Sequence, residues 1–208
     1  MTEKTAQKEP DKKPVPSKKP KPQQEVVVQI PLSELHPFPD HPFQVREDAS
    51  MQETAESVKE YGVLVPALAR PREDGGYELI AGHRRKHACE LAGLTTMPVI
   101  VRDIDRDAAT IIMVDSNLQR ENILPSERAK AYKMKMEAIK RQGARTDLTS
   151  PKISAKFRSD DEVGQDAGVS GDTIRNYIAL TQLVPELQQM VDEKKIALSP
   201  AYQIAALT

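Results

Sequence analysis

The chain is 208 residues long with 38% apolar side chains, enough for one sizeable core or two small ones. It holds 30 Lys and Arg against 31 Asp and Glu for a net charge of −1, which excludes a uniformly basic nucleic-acid coat. No apolar run is long enough to span a bilayer, and the lysine-rich start lacks the apolar stretch of a secretion signal, so a cytoplasmic protein with no membrane partner is expected.

Residues 1–24 alternate prolines with Lys4, Lys8, Lys12, Lys13, Lys18, Lys19 and Lys21 against Glu3, Glu9 and Asp11. Such a segment buries too little apolar surface to offset its ordering entropy and reads as a disordered tail. Val26, Val27, Val28 and Ile30 then form a β-branched run, a first strand ended by Pro31. Pro37, Pro39, Asp40 and Pro42 mark residues 36–46 as a loop. Met51, Ala55, Val58 and Tyr61 share one helical face over residues 51–61, with Gly62 placed to end the helix. Residues 63–70 and 77–81 read as paired strands around Gly75 and Gly76, 82–92 as a helix ended by Gly93, and 98–101 as another strand. Cys89, the single cysteine, falls in that helix and is expected to be a buried structural thiol. From Asp107 onward the period is helical, with loops near residues 123–125, 141–150 and 184–185. The fold class expected is α+β: a mixed α/β domain over residues 25–118 and an all-helical domain over 119–208.

The most informative stretch runs through residues 77–87, where a strand leads into Gly82 and then His83, Arg84, Arg85 and Lys86 crowd the first turn of a helix. Cations are disfavoured there by the helix dipole, so the arrangement points to a bound polyphosphate. Glycine permits close backbone approach, and arginine forks two donors onto phosphate. A solvated basic helix start is the alternative. Asn117, Arg120 and Glu121 form a second polar group suited to phosphate or magnesium, or simply to a polar helix surface. Asp103, Asp105 and Asp107 alternate after a strand and read as a solvated turn rather than as the carboxylates of a nuclease.

Residues 160–180 have the spacing of a helix-turn-helix: Gly164 for close helix approach, Gly168 for a left-handed turn, Ile174 in the core and Ser170 as N-cap of the second helix. That reading leaves Gly171, Asp172, Thr173, Arg175 and Asn176 facing outward, where Arg and Asn are the types that pair with guanine and adenine edges. Residues 145–180 carry at least as many acids as bases. Phosphate neutralisation is therefore expected from residues 126–142, a helix with Arg128, Lys130, Lys133, Lys135, Lys140 and Arg141, in which Lys133 and Lys140 are taken to contact the DNA backbone.

Taken together, residues 36–46 ending Pro42, Phe43, Gln44, Val45, Arg46, residues 53–70, 77–92 and 117–127 resemble the ParB/Spo0J family of partition proteins. The resemblance implies a clamp-like homodimer that binds CTP and Mg2+, recognises a palindromic centromere-like site on double-stranded DNA, works with a ParA-type ATPase and associates with the nucleoid. It assigns Gly82, His83, Arg84 and Arg85 to the triphosphate, Asn117 and Glu121 to metal and phosphates, with Arg120 beside them, and Gln44 and Arg46 to the loop lining the nucleotide. Two positions depart from the family pattern: His83 and Ser116 stand where glutamates are usual. Loss of the second carboxylate should weaken magnesium coordination and any slow CTP hydrolysis more than phosphate binding. A sulfiredoxin-like activity would want a cysteine where Gly82 stands. The alternative function is a helix-turn-helix transcriptional regulator without a partition role. The helix expected after Pro200 runs into Thr208, which reads as a fragment whose dimerising module lies further on.

Overall fold

The computed structural model describes residues 25–120, 122–146 and 159–207. The expected tail over residues 1–24 lies outside them. Five strands form one mixed sheet: β1 (Val27–Pro31), β2 (Leu35–Pro37), β3 (Ala67–Pro71), β4 (Tyr77–Ala81) and β5 (Thr96–Val101), in the order β1-β5-β3-β4-β2. β1/β5 and β3/β4 are antiparallel, whereas β3/β5 and β2/β4 are parallel. β2 corrects the expectation of a structureless loop from His36. It is an edge strand, and Pro37, which has no N–H to give, stands at its last position. The strand expected from residue 63 starts only at Ala67, after a bend in which Leu64 and Val65 are exposed.

Strand periodicity puts alternate side chains on opposite faces. Leu79, Ala67 and Ala69 join Met51 and Val58 of α1 (Ala49–Tyr61) and Ala88 and Cys89 of α2 (His83–Leu91) in one core. Ile80 and Leu68 face the other way, onto Ala109, Met113 and Val114 of α3 (Arg106–Leu118) and Ala131 of α4 (Pro125–Thr146). The sheet is thus sandwiched between two helical layers. Cys89 is fully buried, as its apolar surroundings require. Asp105 caps α3 by accepting from the Ala108 N–H. Asp107 is not in a solvated turn: it is 3% exposed and receives Arg141 Nε at 2.7 Å.

The remaining helices pack on α4, which continues four residues past the expected Gln142: α5 (Ser159–Ala167), α6 (Gly171–Ala179), α7 (Pro185–Asp192) and α8 (Leu198–Ala205). α8 begins at Leu198, so Pro200 sits in its first turn, where its missing N–H costs nothing. Tyr132 of α4 meets Val163 and Ile174 in a small core shared with the helix-turn-helix, while Ala129 packs with Leu180, Val191 and Ala201. Lys135 was expected among the cations available to DNA, but it is 1% exposed. Its ammonium spans Asp115 of α3 at 2.7 Å and Asp166 of α5 at 2.9 Å, so it ties the two helical groups together. Burial opposes its charge, and the two carboxylates more than offset that, holding its pKa above the usual lysine value.

Helices α5 and α6 approach through glycine. A Cβ added at Gly164 would lie 2.6 Å from the Val169 carbonyl oxygen and 3.1 Å from the Gly171 nitrogen, both backbone atoms that cannot swing aside. Gly164→Ala is therefore expected to lower stability by about 1–3 kcal/mol, the range for overpacking a tight site. Thermal melting followed by circular dichroism measures this, and an unchanged midpoint would contradict the close approach.

Candidate nucleotide and DNA sites

A cleft of about 340 Å³ opens where the loop before α1, the start of α2 and the end of α3 converge, lined among others by His41, Gln44, Gly82, Arg84, Ser116, Asn117 and Arg120. A second hollow of about 270 Å³ shares Phe43, Gln44, Arg84 and Arg120 with it and adds Arg46 and Glu127. The fold brings together, around this double cleft, every residue expected at the nucleotide apart from Glu121, which lies outside the described residues. Gly82 adopts φ +111°, and a Cβ there would sit 2.8 Å from that of Ala67, so the turn into α2 requires glycine twice over.

The side chains in this cleft are not equivalent. Arg84 stands 3.5 Å from Asp48, the residue that caps α1, and 3.3 Å from Ser50 Oγ, both weak restraints at the cleft edge. Arg120 has no ion-pair partner among the described residues. Its guanidinium is held below the usual arginine pKa first by desolvation and next by the charge of Arg84, with Glu127 pulling the other way. Two cations thus converge on one cleft at an electrostatic cost, and an anion between them would remove it. Arg46 is exposed beside them.

Arg85 is turned to another task. Its Nη1 donates to the carbonyls of Val65 at 2.5 Å and Pro66 at 2.7 Å, bracing the bend before β3 against α2. His83 departs further from the expected crowd of cations: burial, then His41, Lys86 and Arg120, lower its pKa to about 3, so it is neutral at physiological pH. The first turn of α2 therefore carries three charges, of which Lys86 is shared with Glu90 at 3.3 Å. Asn117 and Ser116 hydrogen-bond to the helix's own Met113 carbonyl at 2.8 and 2.9 Å. Those bonds leave the Asn117 amide oxygen as what this residue offers a ligand.

Sequence reasoning missed Glu127. It is 6% exposed; one oxygen accepts from the Leu124 N–H at the start of α4, and the other from the Gln44 N–H, each at 3.1 Å. One carboxylate thereby caps α4 and fixes the loop that walls the cleft. The capping half of this role is visible in its position two residues after Pro125; the loop half joins residues 83 apart and is not. Among the described residues no group of three or more His, Cys, Asp and Glu side chains is placed to hold a metal ion. With Asp105 capping α3 and Asp107 paired with Arg141, two of the three acids considered for a nuclease are engaged elsewhere, and Asp103 is exposed.

In the helix-turn-helix, Ser170 caps α6 by accepting from the Thr173 N–H at 3.2 Å, and Gly168 takes φ +68° in the turn. Asp172, Arg175 and Asn176 are exposed and Thr173 partly so. Gly171 was expected outward but is buried, against the Asp161 side chain of α5, which would have to swing aside for any larger residue. Arg175 is held by Asp160 of α5 and Asp172 of its own helix. On α4, Arg128 lies over the Tyr177 ring, 5.7 Å from its centroid, and Arg141 pairs with Asp107. With Lys135 buried, Lys130, Lys133 and Lys140 remain without ion-pair partners among the described residues. No described helix is long and apolar enough to cross a membrane.

Comparison with known proteins matches residues 16–118 to the ParB N-terminal domain. The chain is 35% identical over 182 residues to the chromosome-partitioning protein Spo0J of Thermus thermophilus, covering 87% of this chain and 60% of that protein. It is 39% identical over 161 residues to a probable chromosome 1-partitioning protein ParB of Deinococcus radiodurans, covering 77% and 49%. The chain thus spans about half the length of the curated relatives it matches. Among solved structures, C-terminally truncated ParB from Caulobacter crescentus, complexed to the centromeric parS site, superposes with TM-score 0.56 at 28% identity, over 86% of this chain and 84% of that one. A ParB N-domain described as Pnob8-like shares the fold at TM-score 0.58 and 18% identity, over 88% and 80%. The two-sided sheet, the glycine-opened helix α2 and the helix-turn-helix on α4 are thus the parts of a known kind of molecule: the chain belongs to the ParB/Spo0J family.

Proposed function

We propose that this chain is the nucleotide-binding and DNA-reading part of a chromosome-partition protein. Residues 25–118 form the nucleotide domain and residues 119–208 the DNA-binding domain. α6 reads a palindromic centromere-like site on double-stranded DNA through Arg175 and Asn176, with Ser170, Asp172 and Thr173 at its leading end, while Lys133 and Lys140 meet phosphates. A homodimer matches the two halves of such a site. CTP in the cleft biases how the two subunits close, and a ParA-type ATPase is the partner that moves the complex on the nucleoid.

The observation that carries the nucleotide half is the convergence of Arg46, Arg84 and Arg120, opposed by two carboxylates, Asp48 and Glu127, beside a glycine-opened helix. Arg84 and Arg120 would hold the triphosphate, and Gln44, Arg46 and the Gly82 backbone would position it. Magnesium is proposed only as the triphosphate's own counter-ion, since the described residues offer it the Asn117 amide and Ser116 hydroxyl but no carboxylate cluster. The same lack makes any CTP hydrolysis slow. Titrating each of the four nucleoside triphosphates into the protein, with and without palindromic DNA, tests the reading. Selective CTP binding that changes with DNA is expected; indifference to all four would leave a simple DNA reader.

Replacing Lys133 and Lys140 with glutamine is expected to weaken binding to all DNA sequences alike and to reduce the slope of log K against log salt by about 1–2. A salt slope identical to that of the unaltered chain would take these lysines off the DNA backbone.

A further inference from the structure

The floor of the nucleotide cleft holds a pair of side chains to which the triphosphate reading gives no role. His41 and His83 lie with ring centroids 4.0 Å apart, tilted by 45°. The Nε2 atoms of both are buried and have no hydrogen-bond partner. The His41 Nδ1 lies 2.7 Å from the Phe43 carbonyl oxygen, which can only accept, so Nδ1 carries the proton. In the neutral ring, His41 Nε2 is therefore a bare lone pair, buried and without a donor. Such an atom costs stability and needs a reason.

The surroundings supply one. Arg120 faces both rings, Lys86 of α2 faces His83, and Arg84 lines the same cleft, while Glu127 of α4 is the one acid acting on His41. In the free protein, desolvation and these cations keep both histidines below their usual pKa, His83 more severely, to about 3. A triphosphate reverses that balance: it brings several negative charges within a few ångströms, and one such charge in a half-buried site shifts a neighbouring equilibrium by orders of magnitude.

Building on the triphosphate reading of this cleft, we propose that His41 takes up one proton at Nε2 when the nucleotide binds, and that the resulting imidazolium, packed against neutral His83, donates a hydrogen bond to a phosphate oxygen. The proton comes from solvent, no bond other than N–H forms, and it returns on release. His83 acts as a positioning residue, its neutral ring held 4.0 Å from that of His41. The sign follows from linkage: a group whose pKa rises on binding adds affinity that is full below its free-state pKa and lost as pH climbs through its bound-state pKa. Nucleotide binding should therefore tighten as pH falls from about 8.5 to 6.5, by roughly four-fold if the bound pKa reaches neutrality and by more if it rises beyond.

Isothermal titration of CTP with Mg2+ into the whole chain, at both pH values and in two buffers of different ionisation enthalpy, counts the protons directly. Uptake of about half to one proton is expected near pH 7, and His41→Gln, which cannot be protonated, should abolish both the uptake and the pH dependence. Equal affinity at the two pH values with buffer-independent heats would overturn the proposal while leaving the nucleotide site intact. No binding of any triphosphate at either pH would remove the site itself. Should His41→Gln melt early, ring-nitrogen NMR shifts of His41 in the unaltered protein, before and after CTP, decide the matter: an Nε2 that stays unprotonated in the complex ends it.

Discussion

Substituting Arg84 and Arg120 together by glutamine is expected to reduce triphosphate affinity by about 100-fold or more and to leave the melting temperature unchanged or slightly raised. The two effects have opposite signs for one reason. In the free protein the two guanidiniums repel across a partly desolvated cleft, so removing both charges relieves a cost. In the complex each would make a charge-assisted hydrogen bond to phosphate, worth about 1.5–3 kcal/mol. Two such contacts account for about 3–6 kcal/mol, which is 100-fold and upward in affinity. Arg72→Gln is the control: this residue pairs loosely with Asp74 in the β3–β4 turn, away from the cleft, and its loss should change neither quantity. Calorimetry of CTP binding alongside thermal melting checks the set. Binding that survived the double substitution would transfer the anion site elsewhere.

The second large effect is expected on DNA. Arg175→Ala should cut the ratio of specific to random binding by roughly 10- to 100-fold, the discrimination carried by one bidentate contact. Arg175 suits that role because it is exposed on the leading half of a capped helix, and because Asp160 and Asp172 hold its guanidinium in place before DNA arrives. A pre-positioned fork loses less side-chain entropy on binding. This differs in kind from the proposed role of Lys133 and Lys140 of α4, whose removal is expected to weaken all DNA equally. Competition assays with a palindromic site and its scrambled counterpart separate the two. If Arg175→Ala lost equally on both, its contact would be to phosphate.

Much of the architecture could be read before any coordinates. Alternating apolar residues placed β3, β4 and β5 to within a few residues, and Gly62, Gly75, Gly76 and Gly93, all at positive φ, stand at the turns assigned to them. The helix-turn-helix was equally legible, from Gly164, Gly168 and the Ser170 cap. Readings failed where one side chain had two plausible partners. Lys135 looked like one more surface cation on a basic helix, because nothing local indicates that Asp166, 31 residues on, will sit above it. Arg85 and Arg84 are neighbours of one type, yet one braces carbonyls and the other faces the cleft.

What the sequence determined by itself is therefore what depends on short range: which segments are strands or helices, where glycine must turn the chain, and that cations gather at the start of α2. Tertiary structure alone decided which of those cations remain free, that His83 is neutral against His41, and that Glu127 fastens the cleft wall. The physical reason is that backbone conformation follows from neighbours along the chain. Charge state and hydrogen-bond partners follow from desolvation and distance, which only packing sets.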